Sequence, residues 1–230
     1  MQFNSNPMSE DVVCAAAERF SWRGLLISLT IAVLFCGGCS NRPSSLSMPN
    51  IDADVVAQGA MDAYDLNGDG VISGEELKHP SFGFSHSLSM LDADGDRSVN
   101  QDEIRDYVQR FWINAGAALT STKCRIRFGG KPLPGATVVF EPVEFMKDVI
   151  RPASGKTRGS IAYLDLADED RPHENAHGAQ CGLYVVRISK VVNGKETVPE
   201  EYNTNSILGC EVAARAGYKP GPVTFDLKRR

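Results

Sequence analysis

Residues 65–76, DLNGDGVISGEE, place an oxygen donor at nearly every position where a short loop could wrap a hard cation. Asp65, Asn67 and Asp69 stand at positions 1, 3 and 5, and Gly70 at position 6 permits a sharp turn. Val71 at position 7 offers its backbone carbonyl, Ser73 at position 9 can hold a water, and Glu76 at position 12 closes the shell with two oxygens. Calcium takes roughly six to eight oxygen ligands, so the spacing fits Ca2+. Residues 92–103, DADGDRSVNQDE, repeat it with Asp92, Asp94, Asp96, the Ser98 carbonyl, Asn100 at position 9 and Glu103. Two copies in register imply calcium binding at two sites.

Such loops need helices to hold them. Upstream, Val56, Ala60, Met61 and Tyr64 fall on one helical face, which predicts a helix from Asp52 to Tyr64. Downstream, Ile104, Tyr107, Val108, Phe111 and Trp112 form an apolar stripe against Arg105, Asp106, Gln109 and Arg110, read here as core. This arrangement resembles a pair of EF-hands. Position 8 of each loop, Ile72 and Val99, is β-branched, as a short β-bridge between paired hands favours. Only Leu77 to Leu91 separate the loops, with Pro80 and Gly83 among them, so the middle helices must be short. Loop two carries Arg97 where loop one has Gly70. A left-handed backbone there costs a side-chain-bearing residue on the order of 1 kcal/mol.

From Leu119 onward the pattern changes. TKCRIRF, GATVVFEP, GSIAYLDL, GLYVVRISK, NSILGCEVA and PVTFDLK read as six or seven strands, separated by turns such as Gly129-Gly130-Lys131-Pro132, Asn193-Gly194 and Lys219-Pro220-Gly221-Pro222. The expected fold is multi-domain α plus all-β: a compact helical EF-hand pair followed by an antiparallel β-sandwich of about seven strands. The order GGKPLPGATVVFEP, GLYVVRISK, VPEEYNT and a final TFDL resembles the carboxypeptidase regulatory-like domain, a prealbumin-like sandwich, over about residues 120–228. The resemblance implies that Gly135 turns the chain into the second strand and that Gly182-Leu183-Tyr184 opens a central one. It also implies a non-catalytic folding, spacing or adhesion module. The charged insertion Asp165 to Gln180 departs from that family's pattern.

Inside the insertion, His173-Glu174-Asn175-Ala176-His177 satisfies H-E-x-x-H, which on a helix binds zinc while the glutamate activates water. Here Gly178 would stop a helix begun at Pro172 after about one turn, and no third ligand follows at the usual spacing. The expectation is a solvated loop and no enzyme, with a zinc hydrolase as the competing reading. Gly155-Lys156-Thr157 resembles the end of a phosphate loop but lacks the upstream glycine spacing. Cys181 and Cys210 fall near strands that could neighbour each other, so either a bridge there or isolated buried thiols fits the sequence.

The N-terminal segment points to the envelope. Gly24 to Phe35 is an uninterrupted apolar run after Arg19 and Arg23, of secretory rather than membrane-spanning length. It ends in Cys36-Gly37-Gly38-Cys39, which resembles a bacterial lipobox, with Cys36 where that family prefers Leu. The resemblance implies cleavage after residue 38 and a lipid on Cys39; an ordinary cleaved signal or a short membrane anchor is the other reading. The expected organisation is a signal at 1–38, a lipidated tether at 39–50, an EF-hand pair at 51–115 and a sandwich at 116–230. The net charge is −5, and no basic block with interleaved aromatics suggests nucleic acid. The expected partners are calcium, a membrane through the lipid, and an envelope protein or glycan. The expected role is a calcium-stabilised scaffold or adhesion module, with an extracytoplasmic calcium sensor as the alternative.

Overall fold

The computed structural model describes residues 48–114, 118–214 and 222–229. Cys39, the apolar run and most of the tether lie outside the described residues, as does much of the turn at 219–222. No described helix is long and apolar enough to cross a membrane.

Asp52 starts the first helix, α1 (Ala53–Tyr64), by accepting the amides of Asp54 and Val55 at 3.0 and 3.2 Å, so its carboxylate caps donors the helix cannot satisfy itself. Val56, Ala57, Ala60, Met61 and Tyr64 are buried, the face expected from the spacing. Loop one leads into β1 (Val71–Ser73) and a single 3-10 turn, Glu76–Lys78. A 3-10 turn at Ser85–Ser87 and the four-residue α2 (Leu88–Leu91) enter loop two, which ends in β2 (Ser98–Asn100). The middle helices are as short as Pro80 and Gly83 require. The strands pair antiparallel with Ile72 opposite Val99, both fully buried. Asn100 and Glu103 form a reciprocal capping box for α3 (Gln101–Val108), which runs on through a π-turn closed by a 2.9 Å bond from the Asn114 amide to the Gln109 carbonyl. That turn keeps Trp112 on the buried side with Ile104, Tyr107 and Val108.

The second half builds β3 (Thr122–Phe128), β4 (Lys131–Pro132), β5 (Thr137–Pro142), β6 (Ala153–Lys156), β7 (Ile161–Leu166), β8 (Gly182–Ser189), the hairpin β9 (Val191–Val192) and β10 (Lys195–Glu196), β11 (Gly209–Val212) and β12 (Val223–Leu227). Eight of these form one sheet ordered β11-β8-β5-β6-β7-β3-β12, with β4 beside β3. Most of β7 pairs with β3, while its last two residues pair with β6. The sheet turns at that strand and curls into a half-barrel. One pair departs from the antiparallel expectation: β12 runs parallel to β3. The Gly155-Lys156-Thr157 string begins in β6, where a Cβ on Gly155 would lie 2.0 Å from the Tyr163 carbonyl oxygen. It is a strand crossing, not a phosphate loop. Gly135 has φ +72, a left-handed turn just before β5 that glycine adopts without steric cost.

Cys124, Cys181 and Cys210 are buried free thiols, so the bridge between Cys181 and Cys210 does not form. Burial pushes the Cys124 thiol up to about 12 and the Cys210 thiol well above its usual range, which leaves both protonated and unreactive at neutral pH.

One continuous cluster of buried residues runs from Ile51 to Leu227. One-turn middle helices cannot close a core alone, and the inter-loop segment supplies what they lack. Phe82 packs edge-on to Tyr64 at 5.1 Å, and Phe84 stacks on Trp112 at 5.7 Å. The same segment covers the sheet edge: the Gly209 amide of β11 donates to the Pro80 carbonyl at 2.8 Å. Gly209 makes this approach possible, since a Cβ there would lie 2.3 Å from the Ser81 oxygen.

Candidate metal centre

In loop one the side chains at positions 1, 3, 5 and 12 all hold backbone amides of the loop. Asp65 accepts the amides of Gly68, Asp69 and Gly70 at 2.8, 3.2 and 3.0 Å. Asn67 accepts from Asp69 at 2.8 Å, and Asp69 accepts from Val71 at 3.1 Å. Glu76 folds back across the loop, one oxygen taking the amides of Leu66 and Asn67 at 2.8 and 3.2 Å and the other the Ser73 amide at 2.9 Å. These amides orient positions 1, 3, 5 and 12 and leave carboxylate lone pairs available to a cation, although the carboxylates of Asp65, Asp69 and Glu76 do not converge as closely as those of loop two.

Loop two repeats most of these bonds at equivalent positions. Asp92 accepts from Gly95 at 2.8 Å and Arg97 at 3.2 Å, Asp94 from Asp96 at 3.1 Å, and Asp96 from Ser98 at 2.8 Å. Glu103 accepts the amides of Ala93 and Asn100, each at 2.9 Å. Carboxylate oxygens of Asp92, Asp94 and Asp96 all lie within 4.8 Å of one another. Three like charges that close repel strongly unless a cation sits among them, and an all-oxygen donor set of this kind fits Ca2+ rather than a softer metal. The Ser98 hydroxyl and then its amide hold the Asp96 carboxyl below its usual range, so it stays ionised. Val71 and Ser98, the expected carbonyl donors, open the two facing strands.

Gly70 and Arg97 both adopt positive φ, +89 and +72. The fold imposes that backbone at position 6 of each loop, and Arg97 bears the strain while adding an exposed positive charge beside the site. Arg97→Gly is expected to stabilise the fold by roughly 1 kcal/mol through relieved strain, and to tighten calcium at loop two by removing a positive charge beside it. Denaturant unfolding and calorimetric titration check the two effects; unchanged stability would mean the backbone at position 6 carries no strain.

The H-E-x-x-H string forms a turn rather than a helix. His177 Nδ1 lies 3.2 Å from Asp165, while His173 Nδ1 accepts the Asn175 amide at 3.2 Å. Among the described residues the only cluster of three or more His, Cys, Asp or Glu fit to hold a metal is Asp92, Asp94 and Asp96. The insertion is not fully solvated as expected: Ala176 and Ala179 are buried, and Ala179 bridges to Thr120.

Sequence reasoning missed Phe82, Phe84 and Glu211. The first two stood in plain view as an aromatic pair in a short linker. Glu211 gave no signal. It lies on β11, where it accepts the Trp112 indole N–H at 2.9 Å and the Ser87 hydroxyl. Trp112 follows loop two and Ser87 precedes it, so one carboxylate ties both flanks of that loop to the sheet edge.

A family model for the EF hand matches residues 57–79, which span most of α1, loop one and its exit turn. No curated protein and no solved structure gives a significant match. The chain therefore carries an EF-hand, and it binds calcium.

Proposed function

We propose that this is a lipid-anchored envelope protein, held at Cys39, in which calcium stabilises a non-catalytic scaffold or adhesion module. The observation that carries the reading is the fusion of the EF-hand pair to the sheet. A sensor must swing its inter-loop segment to expose an apolar groove. Here that segment covers β11 and fills the core with Phe82 and Phe84. Its ions therefore act as fixed staples. Outside the cytoplasm calcium reaches about millimolar levels, enough to fill a site with a dissociation constant near roughly 10⁻⁴ M permanently. The divergent partners of His173 and His177 support the absence of zinc hydrolysis.

Calorimetric titration of calcium into the metal-stripped chain tests this. Two sites are expected, with Glu76→Gln removing one and Glu103→Gln the other, and no increase in apolar-dye binding on filling. A large dye signal with calcium would favour the sensor. Tight zinc binding lost on His173→Ala would favour the hydrolase.

A further inference from the structure

The chain's charge is divided between its halves. Residues 51–114 hold thirteen acids and four bases, whereas residues 118–230 hold seventeen bases and thirteen acids. On β3, Cys124 and Ile126 are fully buried, so Lys123, Arg125 and Arg127 share the opposite face, in a row spaced about 7 Å apart. The register sets Tyr163 of β7 beside Lys123 and Thr224 of β12 beside Arg125. Lys123 Nζ lies 5.3 Å from the Tyr163 ring centroid, and that ring is 62% exposed. Among the described residues none of the three cations forms an ion pair. Asp226, opposite Arg127, takes the Gly130 amide at 3.1 Å. A row of cations without ion pairs beside an exposed tyrosine, with the Asp226 carboxylate opposite Arg127 as the acid on the neighbouring strand, suits an anionic surface: the cations supply attraction, and the aromatic ring is at home between apolar and aqueous layers.

We propose that the outer face of β3 docks on the anionic lipid headgroups of the membrane that anchors the chain, and that calcium promotes this docking. The proposal rests on the anchor reading above. Chain length favours lipid over a distant polymer. Asn50 and Ile51 line one groove with Ile113. Thr122 opens β3 nine residues after Ile113, so the end of the tether lies within roughly 30 Å of the row. Residues 40–47 reach a similar distance when extended, roughly 28 Å, which keeps the row within range of the bilayer. Two calcium ions would add four positive charges to the acidic half, reducing its repulsion from the same surface.

The test labels Lys123 with an amine reagent in the full chain, on phosphatidylcholine vesicles and on vesicles rich in phosphatidylglycerol. Labelling should slow about fivefold or more on the anionic vesicles, more so with calcium. The protection should vanish at high salt and in an R125E/R127E variant. Equal labelling on both lipids would overturn the docking, and equal protection by soluble polyphosphate would overturn its assignment to lipid. A calcium effect that persists in E76Q/E103Q would mean calcium acts on the lipid, sinking the second clause. Failure to join zwitterionic vesicles at all would sink the anchor reading instead, and labelling on the anionic vesicles would still decide the docking.

Discussion

Chelating calcium is expected to lower the melting temperature of the whole molecule by about 10 °C or more, sheet included. A site with a dissociation constant near ~10⁻⁵ M at ~1 mM calcium contributes about 2.7 kcal/mol, and two such sites about twice that. For a chain of this size each kcal/mol moves the midpoint by about 2–4 °C. In separately folded domains the loss would fall on the helical pair alone. Here one buried cluster joins both halves, and the inter-loop segment closes the edge of the sheet. Without the ion, the carboxylates of Asp92, Asp94 and Asp96 repel, and the single turns flanking the loops have little of their own to hold them. Thermal melts followed by far-ultraviolet circular dichroism, with calcium and with chelator, would decide it. A strand signal that melts at the same temperature in both would show that the sheet stands independently of the loops.

The second large effect is expected from Glu211→Ala: a loss of about 2–4 kcal/mol and a weaker second calcium site. The substitution takes the acceptor from the Trp112 indole and from the Ser87 hydroxyl, both almost wholly buried. Leaving buried donors without their acceptor costs about 1–3 kcal/mol each. Because Ser87 and Trp112 flank loop two, the same change frees its helices from one another, and the ion must then do the ordering that the fold now does in advance. Glu211→Gln keeps one carbonyl acceptor and should recover part of both losses. Denaturant unfolding paired with calcium titration reads the two effects together. Lowered stability with an unchanged loop-two affinity would make the carboxylate a local support with no link to the site; no change in either would remove it from the account.

Much of this was legible in the residues. The calcium loops are local objects, because each ligand and each shaping amide lies within a dozen residues, so spacing alone specifies them. The pairing of Ile72 with Val99, the buried stripe of Ile104, Tyr107, Val108 and Trp112 (Phe111, expected with them, is only half-buried) and the positive φ at Arg97 follow from the same short-range rules. Most strands announced themselves by alternation. Those that escaped notice, β4, β6, β9 and β10, are short, and β6 carries a glycine that weakens the pattern.

What joins the halves could not be read from the chain. Residues Ser87 and Glu211 are 124 positions apart, and Trp112 and Glu211 are 99. Nothing in the periodicity around Glu211 says that a strand-edge carboxylate will meet an indole and a hydroxyl from either side of a metal loop. The parallel pairing of β12 with β3 likewise depends on where the returning chain finds an open edge. The sequence by itself determined the ion and the elements around its loops, because those contacts are close along the chain. Only the tertiary structure decided that the metal pair and the sheet share one cluster of buried residues, because hydrophobic burial and edge closure act between segments that sequence order keeps apart.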